Sequence, residues 1–243
     1  MADPISGAKV VPARDPGKIS ASMMCAGLDK IFYYLTEFKE AKLEFLHIDV
    51  MDGQFVPNLA LGTDYAKSLR RITDIPFDFH FLTMDPLEKM SWFDIREGDQ
   101  VAFHYENNTH IAECLQYLKR LSATSLIAIN PETDYRVLDP YLDDLDGVLA
   151  MTVHPGFAGK KLVPSTLDKV KEMREYFHSI GKDDLIIEVD GNITIENARK
   201  LYERGADIFV AGSSSLFHKG ETAVTDVIKK KRLAIGWKEE DLP

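Results

Sequence analysis

The chain has 243 residues, 45% of them hydrophobic, enough to bury one large core or two smaller ones. A net charge of −10 argues against a nucleic-acid partner, which needs a basic surface, so any anionic ligand must be held locally. Cys25 and Cys114 are far apart and in no metal-type spacing, which suggests neither a disulfide framework nor a cysteine zinc site and fits a reducing cytoplasm. No apolar run approaches membrane-spanning length, and "MADPISGAKVVPARDPG" lacks the apolar core of a signal peptide, so no membrane association is expected.

Residues 1–17 read as an irregular lead-in. From Lys18 onward, short β-rich runs alternate with amphipathic helical stretches, the pattern of a parallel sheet. Strands are predicted at Lys18–Met23, Leu43–Val50, Phe77–Leu82, Gln100–His104, Ser125–Asn130, Gly147–Val153, Leu185–Asp190 and Asp207–Gly212. Eight such units favour a single closed (β/α)8 TIM barrel over residues 18–235, with a tail over 236–243; periodicity alone also admits an open doubly wound sheet.

Several of these strands carry polar residues where a buried strand should be apolar. In "LEFLHIDVMDGQFVP" (43–57), alternation puts His47, Asp49 and Met51 on one face and Leu46, Ile48 and Val50 on the other. "PFDFHFL" places Phe77, Phe79 and Phe81 against the helices and Asp78, His80 and Leu82 toward the barrel axis. "LIIEVDGN" likewise turns Glu188 and Asp190 inward. A buried carboxylate needs a partner. Each of these residues taken alone fits a hydrogen-bonded core histidine or a capping aspartate. Together, His47, Asp49, His80 and Asp190 converge near strand C-terminal ends as a nitrogen and oxygen set suited to Zn2+, and also to Fe2+, Mn2+ or Co2+. Asp78 and Glu188, deeper on the same face, are candidates to orient the histidines.

There is no nucleophile elbow, no Walker or dinucleotide-binding signature, and no lysine on the inward faces of the predicted strands. What remains is proton transfer with metal stabilisation. Asp49 and Asp190, facing each other across a barrel mouth, can serve opposite faces of one carbon beside a carbonyl and so invert it through an enediolate. Three glycine-bearing turns at late strand ends, "VHPGFAGKK" (153–161), "VDGNIT" (189–194) and "VAGSSSLF" (210–217), suggest a phosphate site, with Gly212 allowing close approach and Ser213–Ser215 offering free N–H groups.

Taken together, "HIDVMDGQFVPN", "DFHFL", "MTVHPGFAG", "VDGNI" and "VAGSSSLF" resemble the signatures of the ribulose-phosphate 3-epimerase family over Lys18 to Phe217. The resemblance implies a barrel of the ribulose-phosphate-binding type and one divalent metal, zinc first, on His47, Asp49, His80 and Asp190. Asp49 and Asp190 would double as the acid and base. It further implies substrate contacts from Ser22, Met51 and Met151, and phosphate contacts from Ala158, Gly159, Gly191, Asn192, Gly212 and Ser213. The expected reaction is interconversion of D-ribulose 5-phosphate and D-xylulose 5-phosphate by a cytoplasmic homo-oligomer. Departures from the family pattern at Ala21, Leu82, Ala158 and Asn192 touch the sugar pocket and phosphate rim, not the metal ligands. Stretches such as "INPET", "PGFAG" and "EVDG" also resemble the allulose-6-phosphate 3-epimerase branch, so a substrate one carbon longer is the alternative. A non-catalytic sugar-phosphate binder would have no need of two opposed carboxylates.

Overall fold

The structure, a computed structural model, describes residues 14–106, 108–217 and 223–243. Most of the expected lead-in, residues 1–13, lies outside the described residues. The strands run β1 Lys18–Ser22, β2 Phe45–Asp52, β3 Leu59–Ala60, β4 Phe77–Leu82, β5 Gln100–His104, β6 Thr124–Ile129, β7 Gly147–Met151, β8 Ile186–Asp190 and β9 Ile208–Ala211. Between them lie α1 Ile31–Glu40, α2 Thr63–Arg70, α3 Pro86–Met90, α4 Ile111–Arg120, α5 Ser165–Ser179 and α6 Ile195–Tyr202, and α7 Val224–Ala234 follows the last strand.

Every strand except β3 pairs in parallel with its neighbours, in the order β1-β9-β8-β7-β6-β5-β4-β2, and a β1–β2 pairing closes the ring. The fold is therefore a closed (β/α)8 TIM barrel, as the alternation predicts. Two details differ from the sequence reading. The two-residue β3 folds back antiparallel on the end of β2, pairing Met51 with Ala60 and Asp52 with Leu59. Between β6 and β7 the chain forms a 3-10 segment, Tyr135–Tyr141, instead of an α-helix, and Pro140 inside it removes a backbone donor that an α-helix would use.

The strand alternation divides two apolar regions. Leu46, Ile48, Val50, Phe77, Phe79, Phe81, Ile187 and Val189 face outward into the main core beneath the helices. Fully burying a phenylalanine of this kind contributes about 1.5–3 kcal/mol. Inside the barrel, Ala102, Leu126, Ala128, Leu149, Met151 and Val153 form a smaller cluster along one side. The opposite interior side is polar: Ser20, His47, Asp78, His80, Gln100 and Glu188 are all buried there.

Candidate active site

The polar side of the interior is built upward from β1, β2, β4, β5 and β8. At its lower level the buried Asp78 carboxylate accepts from Ser20 Oγ (2.7 Å), Gln100 Nε2 (3.1 Å) and His47 Nδ1 (2.6 Å). Gln100 Nε2 also donates to Glu188 Oε2 at 2.6 Å. Burial, reinforced by the Asp78 charge, raises Glu188 well above the usual carboxylate range. Burial alone would also raise Asp78, but the adjacent His47 charge and the hydrogen bonds from its neighbours hold it below its ordinary value.

These partners settle which ring nitrogens point upward. His47 gives its Nδ1 proton to Asp78, so a neutral His47 presents the Nε2 lone pair, and Nε2 has no hydrogen-bond partner. His104, at the end of β5, bonds Glu106 through Nδ1 (2.9 Å) and His80 Nε2 through its own Nε2 (3.1 Å). A proton shared with Glu106 leaves His104 Nε2 an acceptor, which places the His80 proton on Nε2 and frees its Nδ1. That Nδ1 also lacks a hydrogen-bond partner. Both open nitrogens face Asp49 Oδ1, at 3.3 Å from His47 and 3.4 Å from His80, and His80 Nδ1 is 3.9 Å from Asp190 Oδ2.

One ligand atom from each of His47, Asp49, His80 and Asp190 lies within 4.8 Å of all the others. Two buried imidazole nitrogens without partners, converging on two carboxylates, fit a divalent ion of the zinc or iron type. In a second grouping, His47, Asp78 and Glu188, the hydrogen bonds of the lower level engage His47 Nδ1, both Asp78 oxygens and Glu188 Oε2, and Glu188 Oε1 is without a partner. The local field agrees. Burial disfavours a charged His47, yet Asp78 and Asp49 overcome it and push His47 well above its ordinary range, so a positive charge is favoured where the ion would sit. Burial lowers His80 to about 4. Asp49, despite burial, is held well below the carboxylate range by the two histidines. Asp190 is raised to about 7 by burial, and the charges of Asp49 and Asp78 act in the same direction; the fifth of its side chain that remains accessible opens onto the pocket.

Above this floor is a pocket of about 590 Å3, counted out to its open mouth. Ser22, Asp49, Met51, Met151, Ala158, Gly159, Asp190, Gly191, Asn192, Gly212 and Ser213, all singled out in the sequence, line it, while His47 and His80 lie buried beneath. Ser22 Oγ donates to Asp49 Oδ2 at 3.1 Å. Leu82 and Met51 form part of the wall with Met24. Gly191 is required by its surroundings: its φ is +118°, and a Cβ there would come within 2.9 Å of the Val153 backbone nitrogen. Asn192, where the family pattern has a second glycine, has φ +53°, a left-handed value that asparagine tolerates better than most residues. Asn197 Nδ2 donates to its carbonyl (2.9 Å) and side-chain oxygen (3.2 Å). Substitution of glycine by Asn192 thus leaves the turn intact. Across the mouth, Asn58 Nδ2 donates to the Gly156 carbonyl at 2.7 Å and ties the loop after β2 to the loop after β7.

The sequence reading did not single out His104 or Glu106. The signal was present, since "QVAFH" ends a buried strand on an inward histidine just as "PFDFHF" places His80. Gln100, which bridges Asp78 and Glu188, had no sequence signal beyond being polar on a buried strand.

A closed barrel whose metal-competent floor and glycine-rich turns lie at its C-terminal rim has the layout of TIM-barrel enzymes, which carry their active sites at that rim. Solved structures of low sequence identity share the fold: 3-hexulose-6-phosphate synthase from Salmonella typhimurium superposes with a TM-score of 0.63 at 12% identity, covering 90% of this chain and 98% of that one. The family is given by sequence. The ribulose-phosphate 3-epimerase family model matches residues 18–217. The chain is 36% identical to the ribulose-phosphate 3-epimerase of Bacillus subtilis, covering 81% of this chain and 91% of that protein. It is 34% identical to that of Escherichia coli K12, covering 81% and 87%. The protein belongs to the ribulose-phosphate 3-epimerase family and is an epimerase.

Proposed function

We propose that this protein is a divalent-metal-dependent epimerase that inverts C3 of a phosphorylated ketose, interconverting D-ribulose 5-phosphate and D-xylulose 5-phosphate. The observation that carries this reading is the pair of partnerless imidazole nitrogens, His47 Nε2 and His80 Nδ1, converging with Asp49 and Asp190 on the pocket floor. Those four residues would hold the ion. When bound, it supplies positive charge beside the oxygens that become anionic as the carbon loses its proton.

The chain's own groups do the proton transfers. Asp49 projects from β2 and Asp190 from β8, with β1 and β9 between them on the ring, so they approach a bound sugar from different sides. In one direction Asp49 removes the C3 proton from one face and Asp190 delivers a proton to the other; in reverse the roles exchange. Ser22 steadies Asp49 through its hydrogen bond, and Met51, Met151 and Leu82 keep water from the reacting carbon. The turns at Gly191–Asn192 and Gly212–Ser213, with Ala158 and Gly159, would receive the phosphate through backbone N–H groups. The same reading places the enzyme in the cytoplasm, supported by two free cysteines, and as a homo-oligomer, supported by exposed Leu28 and Phe32. Among the described residues no helix is long and apolar enough to cross a membrane.

The test is a coupled assay of purified protein with D-ribulose 5-phosphate and, in parallel, D-allulose 6-phosphate, before and after chelation, with metal content measured. Turnover of the pentulose that is lost on chelation and restored by Zn2+, Fe2+, Mn2+ or Co2+ is expected. Preference for the hexulose reassigns the substrate, full activity in metal-free protein removes the metal, and turnover of neither sugar overturns the reaction.

A further inference from the structure

Lys231 lies on α7, outside the barrel wall, and is fully buried, whereas Lys229 and Lys230 beside it are exposed. Its ammonium donates to the Ile193 carbonyl at 2.5 Å and to Ser215 Oγ at 3.2 Å. Ile193 closes the turn after β8 and Ser215 the turn after β9. Lys231 therefore braces, from behind, the two turns that face the pocket through Gly191, Asn192, Gly212 and Ser213.

Among the described residues no carboxylate pairs with this ammonium. Its neighbour Arg232, equally buried, is paired with Glu44 at 2.6 Å. Burial, with no counter-charge among the described residues, pushes the Lys231 amine down to about 7. A buried unpaired charge is costly, and a leucine or methionine of similar length would fill the same space without that cost. The pocket adds a second observation: of the described residues lining it, Lys160 is the one that carries a positive charge, and its ammonium is turned to the Pro155 carbonyl at 3.3 Å. The floor meanwhile carries Asp49 and Asp190. Positive charge behind the two turns would strengthen their backbone N–H grip on a dianion, and Lys231 is placed to give it.

We propose that Lys231 is a positioning residue for substrate phosphate, its buried positive charge holding the two turns and strengthening phosphate binding through them. This rests on the reading of the protein as a ketose-phosphate epimerase. The charge acts on binding of the phosphate end and leaves proton transfer at C3 alone, so it separates KM from kcat.

The experiment compares wild type, Lys231→Met and Lys231→Gln. The methionine variant removes charge and hydrogen bonds; the glutamine variant keeps a donor for the Ile193 carbonyl without the charge. Both are expected to raise KM for D-ribulose 5-phosphate, and the inhibition constant of inorganic phosphate, by about tenfold, with kcat within about twofold and metal content unchanged. The methionine variant trades loss of a buried charge against a stranded Ile193 carbonyl, so its melting temperature should stay within a few degrees of wild type. A glutamine variant with wild-type KM and phosphate inhibition overturns the role of the charge, as does loss of kcat at constant KM in either variant. Should one variant fail to fold, the other decides. If the wild type turns over no ketose phosphate, the functional reading fails by itself, and calorimetric binding of inorganic phosphate to wild type and variants still decides the role of Lys231.

Discussion

The two ends of the barrel handle polar and charged groups in opposite ways. At the N-terminal end, a carboxylate standing just before every second barrel strand accepts a backbone N–H from the neighbouring strand. Glu44 takes Ile19 N at 3.0 Å, Asp99 takes Phe77 N at 2.9 Å, Asp146 takes Ser125 N at 2.8 Å and Asp207 takes Ile187 N at 2.8 Å. Three of the four are also ion-paired, Glu44 to Arg232, Asp99 to Arg70, and Asp207 to Arg14 and Arg174. The Arg70 guanidinium additionally lies 3.5 Å from the centroid of Phe77. At the C-terminal end, His47 Nε2 and His80 Nδ1 are left without hydrogen bonds, and Asp190 is pushed toward neutrality by burial and by neighbouring charges. Satisfied polar groups stabilise a fold, while unsatisfied ones are tolerated where a ligand completes them. Arg70 Nε and Arg232 Nε are also without partners, so what separates the ends is that ion pairs gather at one and open ligand nitrogens beside carboxylates at the other.

The largest effect that would break this contrast is metal removal. Chelation should abolish turnover and lower the melting temperature, because an ion held at 1,000 times its dissociation constant contributes about 4 kcal/mol to stability. Scanning calorimetry of the chelated and reloaded protein checks it, and an unchanged melting temperature would mean that nothing is bound at the open nitrogens. His80→Ala should lose bound metal while the outward Phe77, Phe79 and Phe81 face stays intact.

Next in size is Asp190→Asn, expected to slow epimerisation by about 10²–10⁴-fold with little change in unfolding free energy. Proton NMR of each epimer in D2O should still show slow exchange at C3 for the epimer whose proton faces Asp49. Near-normal epimerisation by the metal-loaded variant refutes the two-carboxylate mechanism.

The N-terminal end should respond in the reverse sense. Asp99→Ala strands the Arg70 charge and the Phe77 and Arg96 amides, and should destabilise the protein by about 3–5 kcal/mol in urea unfolding while kcat of the folded fraction is kept. Loss of kcat without loss of stability would erase the division between the two ends.

Glu106 sharpens the contrast from within the upper end. It accepts from Asn130 N and Thr133 Oγ1, each at 2.6 Å, and from His104. Although burial opposes it, this set holds its carboxyl down to about 2. A depressed folded-state value stabilises above the unfolded value near 4.5, and that stability is lost as pH falls toward 2. Acid titration of unfolding free energy should therefore be flatter over this window in Glu106→Gln. The smallest effect belongs to exposed Lys200, paired with Glu196 at 2.6 Å one helical turn away. Lys200→Ala should change stability by no more than about 0.5 kcal/mol.

The barrel and the floor of its site were legible along the chain because both depend on local alternation. Phe77, Phe79 and Phe81 against Asp78 and His80 states within six residues which face is core and which is chemistry. Glycines at strand ends mark turns for the same local reason, and Gly191 could be read before its approach to Val153 was known. His104, the last residue of the buried strand Gln100–His104, follows the same rule. What the chain order could not contain is pairing between strands distant in sequence. That Gln100 joins Asp78 to Glu188, that His104 fixes the free nitrogen of His80, and that Lys231 reaches the turns at Ile193 and Ser215 follow only from closure of the ring. The sequence by itself determined which side chains each strand turns inward, since that is set by a period of two. The tertiary structure decided which of those groups satisfy one another and which are left open, because hydrogen bonding depends on distances between strands that only barrel closure creates.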